Sequence, residues 1–120
     1  MSDFDPELIV MQVASTEPDT RMIEALMGEV LLMVHAEESA MRISSAEQTF
    51  GWNFYVMSVD KAVARQLAQL PGSSILDIKG STLEHKFVSW LNGRAKTKGS
   101  EDKIQFSLLS DLKSSRHGLF

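Results

Sequence analysis

Cysteine is missing from this sequence altogether. Its absence excludes disulfide bonds and zinc sites built from thiolates. The sequence also lacks an uninterrupted apolar run of about 18 residues, the length that a membrane-spanning helix requires. Its first residues are acidic, whereas a secretory signal begins with basic residues. We therefore expect a cytoplasmic protein without a membrane span.

Recognisable catalytic motifs are absent as well. The sequence contains no P-loop, no GxGxxG, no HExxH and no GxSxG. The three histidines, His35, His85 and His117, are scattered and have no partners at the spacing of metal ligands. We therefore predict a protein that is not an enzyme and that holds no metal ion or cofactor.

What is present is an ordinary globular composition with an uneven charge distribution. The 120 residues, 43% apolar and 23% charged, suffice for one domain with one modest core. Residues 1–60 carry eleven acidic and two basic residues, whereas residues 61–120 carry five acidic and ten basic ones. Residues 85–100 contain no acid at all. Either the basic half faces a polyanion or an acidic partner, or it neutralises the acidic half within the fold.

Residues 1–15 carry conflicting local signals. Asp5-Pro6-Glu7 is a good helix start, with Asp as the N-cap and Pro at the first helical position. Residues 8–13 are short, apolar and rich in β-branched side chains, which also suits a strand. We favour a short helix in an N-terminal extension.

A longer helix is predicted over residues 17–42, where cap signals at Thr16-Glu17-Pro18-Asp19 precede an apolar periodicity. Its apolar face is unusually wide. This width indicates either one fully buried central helix or, as we favour, an oligomer interface. The predicted interface residues of this helix are Ile23, Leu26, Met27, Val30, Met33, Val34 and Met41.

An aromatic cluster follows a break at residues 44–47, where we expect a new helix to begin. It comprises Phe50, Trp52, Phe54 and Tyr55. Such clusters usually fill cores or interfaces, and base stacking is rejected because no basic residue lies among the rings. We assign Trp52 and Phe54 to a partner interface, within a helical region spanning residues 17–57.

Residues 58–91 are predicted to form a unit that resembles a helix-turn-helix. Val59, Val63, Leu67 and Leu70 give a helix one apolar face, and Pro71-Gly72 ends it. A second short helix would then begin at Ser73 or Ser74 and end near Gly80. In a DNA reader its exposed residues, which are Ser73, Ser74, Asp77 and Lys79, would meet bases and phosphates. Asp77 would repel phosphate, and the alternative is a plain corner between two helices.

The last third of the chain combines a helix, a basic segment and another helix in our prediction. Residues 82–91 fit a helix or a strand, and we favour a helix that Asn92-Gly93 ends. Residues 94–100 form a basic loop suited to phosphate contacts. An amphipathic helix is expected over residues 101–114. The candidate DNA-binding residues are Ser73, Ser74, Lys79, Lys86, Arg94, Lys96 and Lys98.

One family resemblance rests on Tyr55-Val56-Met57-Ser58-Val59-Asp60-Lys61-Ala62-Val63-Ala64, continued by Leu67-Ala68-Gln69-Leu70. This stretch resembles the central part of FlhD, a subunit of the flagellar master transcription activator. The methionine-rich helix before it is similar to the long dimerisation helix of that family. Related activator subunits occur on conjugative plasmids and integrative elements.

The resemblance implies a homodimer, all-α or mostly helical with at most a short strand, that joins a zinc-bearing FlhC-like partner on promoter DNA. It also predicts a fold in which a long N-terminal dimerisation helix precedes the unit at residues 58–91. On this basis we predict one helical domain that is the auxiliary DNA-binding and assembly subunit of a heteromeric activator. The alternative is a small non-enzymatic interaction protein, such as an inhibitor, an immunity protein or a phage or plasmid adaptor. It would bind another protein through its acidic helical half.

Overall fold

The computed structural model describes residues 7–17, 20–44, 47–49, 51–72, 75–78, 82–99 and 103–110. The strands are β1 (Leu8–Ser15), β2 (Met41–Ile43), β3 (Glu47–Thr49), β4 (Trp52–Asp60) and β5 (Ile104–Leu108). The α-helices are α1 (Arg21–Met33), α2 (Lys61–Gln69) and α3 (Leu83–Thr97), and single 3-10 turns lie at Glu38–Ala40 and Ile75–Asp77. The fold is therefore mixed α/β, and the prediction of an all-α protein is wrong.

The five strands form one antiparallel sheet in the order β2-β4-β1-β5. Strand β3 pairs with the other half of β4, along the same edge as β2, because β1 occupies the opposite edge. Counted as one interrupted strand, β2 and β3 complete the element order βαββαβ, with α2 and α3 in the second helical connection. This is the ferredoxin-like, or split β-α-β, topology.

The core lies on one face of the sheet. Every second residue of the two central strands is buried: Ile9, Met11, Val13 and Ser15 in β1, and Asn53, Tyr55, Met57 and Val59 in β4. All of these except the polar Ser15 and Asn53 join buried side chains of all three α-helices in a single hydrophobic cluster. The alternate residues of these strands point to the other face of the sheet, and none of these described residues is buried. Within the described chain, the helices therefore cover one face of the sheet and leave the other open.

Strand β1 corrects the helix that we favoured for the N-terminal segment. Leu8 to Ser15 pair residue by residue with Asp60 to Asn53 of β4, and Met11 to Ser15 also pair with β5. These two rows of inter-strand hydrogen bonds outweigh the local helix-start signal, because strand formation depends on neighbours more than on intrinsic propensity. Asp5 and Pro6 themselves lie outside the described residues.

The helix predicted over residues 17–42 is shorter than expected. It ends at Met33, and His35 takes a left-handed backbone conformation (φ 55°) that turns the chain back toward the sheet. The helix expected next, over residues 44–57, is replaced by β3 and most of β4. Register explains the break between β2 and β3: Ile43 pairs with Met57 but Glu47 pairs with Phe54, a shift of one residue.

The first helix of the predicted helix-turn-helix is confirmed, but the second is not. Helix α2 ends before Pro71, and Gly72 takes a positive φ of 84° that suits the sharp turn. Beyond it, the structure describes a single 3-10 turn at Ile75–Asp77 in place of a recognition helix. Ser73, Ser74 and Lys79 lie outside the described residues.

Helix α3 confirms the helix favoured over residues 82–91 and extends past its predicted end. It continues through Asn92 and Gly93 to Thr97, so the first four residues of the predicted basic loop form its last turn. Its start is capped by Thr82, whose side chain accepts a hydrogen bond from the His85 backbone N–H at 3.2 Å. The helix predicted over residues 101–114 is wrong at its centre, where Ile104–Leu108 is strand β5.

Candidate functional site: the open face of the sheet

The basic residues assigned to DNA are largely engaged with the protein itself. Glu29 of α1 accepts a hydrogen bond from Arg94 (Nη2 to Oε1, 3.1 Å) and forms an ion pair with Lys98 (Nζ to Oε2, 2.8 Å). Lys86 donates from Nζ to the Ile78 carbonyl oxygen at 2.6 Å. Lys96 is exposed on another side of α3. The four described cations therefore do not form one free basic surface.

The Glu29 network joins the acidic half of the sequence to its basic half. The pKa of the Glu29 carboxyl is lowered, chiefly by the hydrogen bond from Lys98; desolvation, the next largest effect, raises it, and the Arg94 guanidinium lowers it further. The Arg94 guanidinium also lies 5.5 Å from the centre of the Trp90 ring, a cation–π distance. A second ion pair between the two halves joins Arg65 to Glu7 at 2.9 Å and lowers the pKa of the Glu7 carboxyl. For these cations the contacts match the intramolecular alternative.

The residues predicted to form a dimer interface on the helix expected over residues 17–42 pack in or against the chain's own core. Ile23, Leu26, Met27 and Val30 are at most 3% exposed, and Val34 is 8% exposed. Met33 and Met41 are partly buried against the same cluster. The wide apolar face of α1 therefore packs within the core of the same chain, but α1 is not the fully buried helix of the alternative either, because Leu32 is 75% exposed.

Trp52 and Phe54, the other predicted interface residues, lie on the open face of the sheet. They alternate along β4 with the buried residues Asn53 and Tyr55, and so point away from the helices. Val56 follows on the same face and is 38% exposed. On β1 the same face carries Leu8, Val10, Gln12 and Ala14, which are partly buried. These side chains define the surface that we call the open face.

The composition of the open face is unusual for a sheet covered on one side. Antiparallel sheets of that kind normally alternate between apolar residues inside and polar residues outside. Here the outward positions of the two central strands are mostly apolar, as in strands that are buried on both faces. This surface was not predicted, because both strands were expected to be helices. The signal was available in LIVMQVA and WNFYVMSV, whose odd and even positions are both largely apolar.

Charged residues flank the open face on the β2–β3 edge. Arg42 pairs with Ser58 across β2 and β4, and Glu47 pairs with Phe54 across β3 and β4, which places both on this face. Both are exposed, and neither makes an ion pair with any described residue. An apolar centre with charges at its margin is the arrangement found in protein–protein interfaces.

The outer edge of β5 is closed to strand addition at its middle residue. Asn92 of α3 donates from Nδ2 to the Phe106 carbonyl oxygen (2.9 Å), and its Oδ1 accepts from the Phe106 backbone N–H (2.8 Å). The side-chain amide thus satisfies the two groups that an added strand would use, one way in which proteins protect sheet edges. The open face, and not this edge, is the better surface for a partner.

In the described part of the chain, no group of three His, Asp or Glu side chains is placed to hold a metal ion. None of the helices described there is long and apolar enough to cross a membrane.

Comparison with protein-family models, with curated proteins and with solved structures finds no match to this chain. Because one topology serves many unrelated functions, the function must be argued from the surface itself.

Proposed function

We propose that this protein is an interaction subunit that binds another protein chain through the open face of its sheet. The proposal rests on the difference between the number of apolar faces of the sheet and the number that the helices cover. Strands β1 and β4 are apolar on both faces, while the described helices cover one. A second layer contributed by a partner would complete the sandwich.

The energetic gain from such a layer resides in a few side chains. Full burial of a large apolar side chain contributes about 1.5–3 kcal/mol relative to exposure. Trp52 and Phe54 are partly covered by their neighbours and Val56 is 38% exposed, so each would gain a fraction of that amount. Aromatic residues near the centre of an interface commonly dominate its binding energy.

This proposal keeps the class of the alternative hypothesis, an interaction protein, but moves its binding surface from the acidic helical half to the sheet. The hypothesis of an activator subunit with an FlhC-like partner stays a prediction. The all-α fold that it implies is contradicted. The described residues at Ile75–Asp77 form a single 3-10 turn where it requires a recognition helix.

Site-specific photo-crosslinking in the native host tests the proposal. A photoreactive amino acid replaces Val56 on the open face or, as the matched control, Leu32, which is 75% exposed on α1 in the helical layer. We expect discrete protein adducts from position 56 and none of the same species from position 32. Equal adduct patterns at both positions, or no adduct at position 56, would refute the proposed docking surface.

A further inference from the structure

We infer that the partner on the open face is a second copy of this chain, related by a two-fold axis that crosses the strands at Val56. This inference rests on the proposed function and adds the identity and the register of the partner. A two-fold interface brings the same surface of each subunit together, so that surface must be complementary to itself. Three features of the open face meet that requirement.

The first feature is the placement of the marginal charges. Arg42 stands beside Ser58 and Glu47 beside Phe54, so Val56 lies midway between them along β4. At about 3.4 Å per residue, each charge is displaced by about 7 Å along the strand, in opposite directions. A two-fold axis perpendicular to the strands and through Val56 therefore places Arg42 of each copy over Glu47 of the other.

The second feature is the chemistry of the row that lies on the axis. Val56 pairs with Gln12 across β4 and β1, and Gln12 pairs with Ser107 across β1 and β5. On the axis each residue meets its own copy. Valine can pack on valine, and a glutamine amide or a serine hydroxyl can both donate to and accept from its equivalent. None of the three would meet a like charge.

The third feature is the set of contacts and the area on either side of the axis. Val10 would lie over Ala14, and Phe54 over the small Ser58. Strand β4 is nine residues long and the sheet order is four strands wide, which gives a face of about 30 Å by about 19 Å. Even this upper limit, about 570 Å², is smaller than the ~800 Å² per partner of a standard stable interface, so we expect a weak, concentration-dependent dimer.

Charge exchange at the two marginal positions tests the inference. The full chain and the variants R42E, E47R and R42E/E47R are compared by sedimentation equilibrium, after circular dichroism has verified that each is folded. We expect the wild type to dimerise. Each single variant should self-associate at least about tenfold more weakly, because like charges then face each other twice. The double variant should recover, and an equimolar mixture of the two single variants should form a heterodimer. V56D should weaken the dimer, whereas L32D should not.

The possible outcomes separate this inference from the proposed function. A wild-type chain that stays monomeric at every concentration, while position 56 still crosslinks to a different protein, overturns the second copy and leaves the docking surface standing. If the wild type stays monomeric and position 56 gives no adduct, both the second copy and the docking surface are overturned. A dimer that survives V56D uses another surface, and a dimer lost in V56D but indifferent to charge exchange has another register. Either of these last two results overturns the inference.

Discussion

The two hydrogen bonds between Asn92 and the backbone of Phe106 lead to a prediction about how α3 and β5 hold each other. They join a helix to an edge strand, at 2.9 and 2.8 Å, in a partly buried position. Each should contribute about 0.5–1.5 kcal/mol. Asn92→Ala loses both but gains up to about 0.7 kcal/mol of helix propensity. We expect a net loss of about 1–2 kcal/mol in the free energy of unfolding.

Asn92→Asp sharpens the test because it preserves the shape of the side chain. The introduced carboxylate can still accept from the Phe106 N–H, but its other oxygen faces the Phe106 carbonyl oxygen in place of a donor. Repulsion there should raise the pKa of the introduced carboxyl in the folded state above its unfolded value. A raised folded pKa stabilises the protein below the unfolded pKa, and this stabilisation is lost as pH rises through the folded value.

Equilibrium unfolding in urea at several pH values measures both effects, with Gln66→Ala on the exposed side of α2 as the control. At neutral pH we expect Asn92→Asp to be at least as destabilising as Asn92→Ala. Its deficit relative to the wild type should shrink as pH falls through the raised folded pKa and should be smallest below about 4, the unfolded value. The assignment of these hydrogen bonds to stability is refuted if Asn92→Ala unfolds like the wild type, or if the deficit of Asn92→Asp does not change with pH.

The remaining predictions concern two glycines and one carboxylate. Gly93 lies inside α3 with open space where a Cβ would stand, so Gly93→Ala should stabilise by about 0.5–1 kcal/mol in urea unfolding. Gly72 has a φ of 84°, so Gly72→Ala should destabilise by about 1–2 kcal/mol, and equal effects at the two sites would contradict this contrast. The lowered pKa of Glu29 means that its ion pairs stabilise the fold above its ordinary pKa of 4.5, and that this stabilisation is lost as pH falls through the folded value. Glu29→Gln should therefore flatten the acid dependence of the unfolding midpoint, and an unchanged dependence would exclude a stabilising role for this network.

Several local features were predictable from the chain alone. Helix α2 follows from apolar residues at Val63 and Leu67, and its end follows from Pro71-Gly72, because each signal acts within a few residues. The apolar character of Trp52 and Phe54 also comes from local composition, although the element that carries them was misassigned. That a partner covers them stays a proposal.

The longer elements were misjudged where distant contacts decide between two local options. Asn92-Gly93 is a common helix end, but in this fold Asn92 is held against β5 and the helix continues. The wide apolar face of α1 was predicted to contact a partner. The strands that cover this face in the structure were themselves predicted to be helices.

By itself, the sequence determined the composition, the separation of charge between its halves, α2 and the turn that follows it. Only the tertiary structure decided that residues 8–15 form a central strand and that one apolar face of the sheet remains open. The physical reason is distance along the chain. Leu8 and Asp60 pair in the sheet across more than fifty intervening residues, and no local propensity can report a hydrogen-bonded partner so remote in sequence.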